Sequence, residues 1–217
     1  LWTCLIAYTS DILAGLDWVY YRHLYGGTQI AAANLSLGGG AYTSYCDSHP
    51  HKPIIDSLRT IGVATVIASG NEFYVNAVSA PGCISTVVTV TSSTKQDTIS
   101  SFSNMVYLVD LVAQGSSILS SIPSGGYAYK SGTSMATPHV ADAFAAIRSR
   151  LPNLSVSQIE STLEETGIPI TDYRLSGYQT MKPRIRVDEA LYTLLVAMVN
   201  ALLNPQQTGD RFQHGHQ

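Results

Sequence analysis

The sequence predicts an α/β protein, a three-layer sandwich with a mostly parallel sheet between helix layers. Three observations carry that expectation. Apolar runs of strand length alternate with segments of helical period. Those runs are apolar at consecutive positions, as in strands covered on both faces. Two of them end in glycine-bearing loops, Ser36-Leu37-Gly38-Gly39-Gly40 and Ser69-Gly70-Asn71. In such sheets function collects beyond the C-terminal strand ends, where both loops leave.

The elements follow in order. Ser10 to Leu24 has helical period, with Ile12, Leu16, Val19 and Tyr20 on one stripe, Ser10 as its expected N-cap and Gly26-Gly27 as its stop. Ile30 to Leu35 reads as a buried strand. Pro53 to Ile61 is helical, Gly62 caps it, and Val63 to Ala68 is a second buried strand. Thr86 to Val90 and Tyr107 to Val112 are further β-rich runs, separated by Ser-rich loops. A long helix starts at Thr133 and runs to about Arg150, where Leu151-Pro152-Asn153 breaks it. Ser155 to Glu165 is a helix with a capping-type start and Gly167 at its end, and Val187 to Leu203 is another. One domain is expected over residues 1–203, with a polar, disordered tail over 204–217.

Composition excludes several classes. The 217 residues carry net charge −3, with 12 basic against 15 acidic side chains and no Lys/Arg run, so nothing is built to neutralise a nucleic-acid backbone. Charged residues make up 12%, about half the usual ~25%, while Ser and Thr fill 44 positions, a surface suited to an extracellular protein. Leu191 to Leu203 is shorter than the ~20 residues of a membrane-spanning helix and contains Asn200, so no membrane span is expected. Three cysteines allow at most one disulfide and make no zinc site. Cys46 and Cys83 lie in loop-like contexts and could be bridged, or all three could be buried thiols; Cys4, in an apolar segment, reads as buried.

Ser131-Gly132-Thr133-Ser134-Met135-Ala136-Thr137-Pro138-His139-Val140 concentrates the chemistry. It sets Ser134 at a helix N-terminus, where unpaired N–H groups and the positive dipole end stabilise charge developing on an attacked carbonyl oxygen. Pro138 has no N–H for the carbonyl four residues back, so Ser134 loses its helical hydrogen bond. Asn71, at a strand end, reads by itself as part of an ordinary Gly-Asn turn; beside a helix-terminal serine its carboxamide offers the neutral donor that acyl transfer requires.

Residues 132–140 resemble the subtilisin-like serine protease family, whose nucleophile motif reads Gly-Thr-Ser-Met-Ala-x-Pro-His-Val. The resemblance extends over roughly residues 10–190. Asn34-Leu35-Ser36-Leu37-Gly38-Gly39 is similar to the family's substrate-binding edge strand, Ala68-Ser69-Gly70-Asn71 to its oxyanion-asparagine motif, and Phe102-Ser103-Asn104 to its Ser-Asn segment. It implies a serine endopeptidase acting on peptide or protein substrates. Ser134 would be the nucleophile and Asn71 the oxyanion donor. Ser36, Leu37, Gly38 and Gly39 would pair with substrate backbone and, with Ser69 and Gly70, line the primary specificity pocket. No cofactor is implied, structural calcium is not legible, and the intact parent is expected to be monomeric.

The family orders its triad Asp, His, Ser along the chain, and the first two motifs are absent here. The expectation is that Leu1 begins inside the fold and that the missing parts lie upstream, leaving a marginal, aggregation-prone fragment that does not turn over peptides. His139 lies about 140° around the helix from Ser134, so it cannot serve as the base and is expected to pack in the helix, with Asp142 as its nearest partner. Asp142, Thr91 and Gln114 depart from the family's Gly, Gly and Pro; an unpaired Asp142 among packed neighbours would cost ~1–3 kcal/mol. The competing reading is a relative without its triad, acting as a peptide-binding or inhibitory module. An α/β-hydrolase esterase is set aside, because Gly132-Thr133-Ser134-Met135-Ala136 lacks the second glycine of Gly-x-Ser-x-Gly.

Overall fold

A computed structural model describes residues 7–123, 125–177 and 179–203. The readings for Cys4 and for the 204–217 tail lie outside these residues. The elements in chain order are α1 (Thr9–Tyr25), β1 (Ala32–Leu35), β2 (Gly39–Tyr42), α2 (Lys52–Thr60), β3 (Ala64–Ala68), β4 (Val78–Ala80), β5 (Val88–Ser93), β6 (Leu111–Gln114), β7 (Ile118–Ser121), β8 (Tyr127–Lys130), α3 (Thr133–Arg150), α4 (Val156–Thr166), β9 (Ile168–Thr171), β10 (Met181–Arg184) and α5 (Val187–Leu203). A six-stranded sheet runs β1-β3-β5-β6-β10-β9. It is parallel from β1 through β10, and only the β9–β10 pair is antiparallel.

The sandwich follows from alternation along β3. Ala64 and Val66 face one helix layer, where they meet Val140, Phe144 and Ile147 of α3 and Ile159 and Leu163 of α4. Ile67 faces the other, with Ile55 and Leu58 of α2 and Leu16 of α1. Every β3 residue is buried, which explains why the run is apolar at every position but Thr65. A third cluster, around Val78, Met105, Leu108 and Val112, fills the far end of the sheet.

Several sequence boundaries shift for identifiable reasons. Ser10 is not the cap of α1: Tyr8 holds that position with no side-chain cap, and the Ser10 hydroxyl donates to Asp11 instead. The two later strands start further along than their β-rich runs. Residues before Val88 serve α2 and a turn, with the Thr86 carbonyl accepting from Arg59. Residues before Leu111 form a turn closed by Val109 N–H on Val106 O. Ser155 caps α4 through a reciprocal capping box with Gln158. Cys46 and Cys83 are bonded, with Cα atoms 5.3 Å apart, and tie the segment before α2 to the loop after β4.

Candidate active site

Two loops and a helix end meet at the C-terminal edge of the sheet. The first loop leaves β3. Ser69 continues the strand into Gly70, whose φ of +109° is open to glycine; a Cβ there would lie 2.2 Å from Asn104 Nδ2 and 2.4 Å from Ser79 Oγ. The turn delivers Asn71 to the start of α3. Asn71 Oδ1 accepts from the backbone N–H of Thr133 at 2.8 Å and from its hydroxyl at 3.0 Å. The Thr133 hydroxyl in turn accepts from Gly70 N–H at 3.3 Å. With its oxygen committed to the helix end, the carboxamide has only its Nδ2 donors left for a ligand, and none is engaged among the described residues.

Ser134 is the next residue, partly exposed in the first turn of α3. The helical partner that Pro138 withholds from its carbonyl is replaced by a side chain. Ser36 Oγ donates to Ser134 O at 2.9 Å, and Ser134 Oγ donates to Ser36 O at 3.3 Å. This reciprocal pair locks the segment leaving β1 against the nucleophile candidate. Leu37 and Gly38 then lead into β2, which pairs with β4 on one side in a two-stranded sheet and is exposed along its length. Among the described residues nothing pairs with its other edge, which leaves it open for an extended chain to add. Gly38 fits because a Cβ there would come within 3.0 Å of Ser79 Cβ and 3.1 Å of Ala80 O.

Ser69 and Gly70 sit differently from the sequence reading. Ser69 is fully buried and its hydroxyl donates to Asn104 O at 2.9 Å, so its side chain does not line an open pocket; Gly70 is buried as well. They form the rigid base under Asn71. The residue organising that base is Asn104, also fully buried. Its Oδ1 accepts from the Glu72 and Tyr74 amides at 3.0 Å each, and its Nδ2 donates to Ser69 O at 3.0 Å and Glu72 Oε2 at 2.6 Å. Thr91 supports it by donating its hydroxyl to Asn104 O at 2.8 Å, which gives that departure from the family's glycine a local use. The sequence alone gives Asn104 no role, since a Ser-Asn pair in a loop shows no sign of being buried.

No histidine among the described residues is hydrogen-bonded to Ser134. His139 is exposed and its Nδ1 lies 2.9 Å from Met135 O, which corrects the expectation that it packs within the helix layer. Asp142 is exposed too, so the cost foreseen for burying it does not arise. His23 Nδ1 accepts from Ile30 N–H. His49 and His51 pair with each other, Nδ1 to Nδ1 at 3.1 Å, and burial lowers the pKa of both. Three carboxyls at the opposite end of the sheet, Asp110, Glu160 and Glu164, place oxygen atoms within 4.8 Å of one another.

With a serine at a helix N-terminus beside an asparagine amide and a glycine-rich edge, the site can be set against known proteins. The subtilase family matches residues 6–192. The chain belongs to the subtilase family. It is 38% identical over 160 residues to subtilisin-like protease 1 of Arthroderma otae, covering 73% of this chain and 32% of that protein. It is 36% identical over 186 residues to alkaline serine exoprotease A of Vibrio alginolyticus, covering 86% and 32%. The chain therefore spans about a third of the length of these relatives. A cold-adapted subtilisin-like serine proteinase superimposes with a TM-score of 0.67 at 32% identity, over 82% of this chain and 61% of that one. The prenylagaramide maturation protease PagA, at 20% identity, shares the fold with a TM-score of 0.72 over 88% of this chain and 70% of its own. The α/β sandwich predicted from the sequence is the subtilisin fold.

Proposed function

We propose that this chain carries the nucleophile and oxyanion portion of an extracellular serine endopeptidase acting on peptide or protein substrates. The observation that carries the reading is the meeting of Asn71 and Ser134 at one helix end, from positions 63 residues apart in the sequence. A substrate strand adds to the open edge beside Ser36–Gly39, and its carbonyl carbon comes to Ser134 Oγ. As the carbonyl oxygen gains charge, Asn71 Nδ2 and the N-terminal amides of α3 receive it. Asn71 acts without reorganising, because Thr133 already fixes its oxygen. The hydroxyl still needs a base to lose its proton, and the described histidines are engaged elsewhere. The disulfide and hydroxyl-rich composition support the extracellular assignment. Among the described residues, no helix is long and apolar enough to cross a membrane.

Among the described residues no imidazole partners Ser134, which favours a second reading for this chain by itself: it binds extended peptides at β2 without cleaving them. A fluorophosphonate probe separates the two. Labelling that Ser134→Ala abolishes supports hydrolysis. No labelling, with saturable binding of an extended peptide, supports the binding module. Labelling that survives Ser134→Ala refutes the assignment of the nucleophile.

A further inference from the structure

The link between β9 and β10 contributes one side chain to the ground on which Asn71 stands. Arg174 Nη1 donates to three consecutive-loop carbonyls, Ser100 O at 3.2 Å, Ser101 O at 3.0 Å and Ser103 O at 2.7 Å. Its Nε and Nη2 grip both oxygens of Asp172 at 2.8 and 2.7 Å, and the two side chains are only 12% and 5% exposed. The guanidinium also lies 5.1 Å from the ring centroid of Phe73. Phe73 adopts φ +64° and donates its N–H to Phe102 O at 2.8 Å. One group therefore touches both the 100–103 loop and the residue two places beyond Asn71.

The loop ends in Asn104, which holds Glu72 and Tyr74 by their amides and donates its own N–H to Gly70 O at 3.0 Å. Residues 70, 72 and 74 are thus pinned to a segment that Arg174 fixes from outside. We infer that Arg174 is a positioning residue for the Asn71 carboxamide, acting through the 100–104 loop and Phe73. The inference rests on the hydrolytic reading for what Asn71 does, but not for where Asn71 is held. A lysine cannot take over, since one ammonium cannot chelate a carboxylate with two nitrogens and span three carbonyls at once.

The test uses the full chain with two readouts. Hydrogen exchange reports position: in Arg174→Ala the Glu72 and Tyr74 amides should lose at least about tenfold in protection, while Val66 and Ala68 in β3 keep theirs. Fluorophosphonate labelling of Ser134 reports chemistry: its rate should fall about 10- to 100-fold, the scale of a displaced donor. Arg174→Lys should fall between wild type and alanine in both, and Asp172→Asn is the milder variant should Arg174→Ala fail to fold. Unchanged exchange at Glu72 and Tyr74 overturns the inference. So does a parallel loss of protection in β3, which marks a general loss of stability, or lost protection with an unchanged labelling rate. If wild type is not labelled at all, no base reaches Ser134 in the chain by itself, and exchange alone decides whether Arg174 positions the loop.

Discussion

Asp110→Asn should remove a dependence of stability on alkaline pH. The Asp110 carboxyl is pushed up to about 8, first by burial and then by Glu160 on α4, against the Thr89 N–H at 2.7 Å and Lys182 on β10. Glu160 and Glu164 are raised as well, also chiefly by burial, although Glu160 is paired with Arg59 of α2 at 2.5 Å. A folded value above the unfolded one, near 3.8, means that between about pH 4 and 8 the native state holds a proton that the unfolded chain has released. Stability is therefore lost as pH rises through that window. His49 and His51 act in the opposite sense: their lowered values cost stability as pH falls below about 6.5, so the range above 6.5 isolates the carboxyls. From pH 6.5 to 8 the slope of about 1.4 kcal/mol per unit gives a ceiling of about 2 kcal/mol. Asp110 is only partly covered, and water at the rim screens it, so about 1 to 2 kcal/mol is expected. Urea unfolding should show this as a midpoint falling by about 0.5 M in wild type and by less than half that in Asp110→Asn, which keeps an acceptor for Thr89. A midpoint that is flat or rising over this range in wild type, or an equal fall in the mutant, would refute the reasoning.

Asn104→Ala strips two part-buried amides and one buried carbonyl of their partner and should cost about 2 kcal/mol in urea unfolding; a loss under about 0.5 would mean the loop rearranges freely. Gly70→Ala forces a methyl group toward Asn104 and Ser79 at a positive φ. It should lower the midpoint by more than about 2 kcal/mol equivalent, and near-wild-type stability would contradict the crowding. Cys46→Ser opens a cross-link across 37 residues and should cost about 3 kcal/mol, reproduced by reducing the wild type; no change on reduction would show that the bridge contributes nothing.

The sandwich was legible because strands buried on both faces are largely apolar, and β3, buried at every position, has only Thr65 as an exception. Ser134 and Asn71 stood out because their local motifs match those of the subtilase family; taken alone, the Gly70-Asn71 pair reads as an ordinary turn. What escaped was support. Asn104 and Arg174 reach the Asn71 loop and its neighbour through backbone atoms of distant loops, and hydrogen bonding to backbone leaves no periodic trace in a sequence. The positions of His139 and Asp142 were misjudged for a related reason: α3 packs one face on the sheet and turns these two to solvent, while its weak apolar stripe conceals which face is which.

The strand order β1-β3-β5-β6 has a consequence for biogenesis. Each of these strands adds to the outer flank of the one made before it, so as the polypeptide leaves the ribosome every new strand finds its template already in place. Loop-closure distances stay short until α3 and α4 have been synthesised, and the large entropic step is deferred to the docking of β10 beside β6. A pause late enough for Arg150 to have left the ribosome would then hold a nascent four-stranded intermediate on which the serine helix can dock.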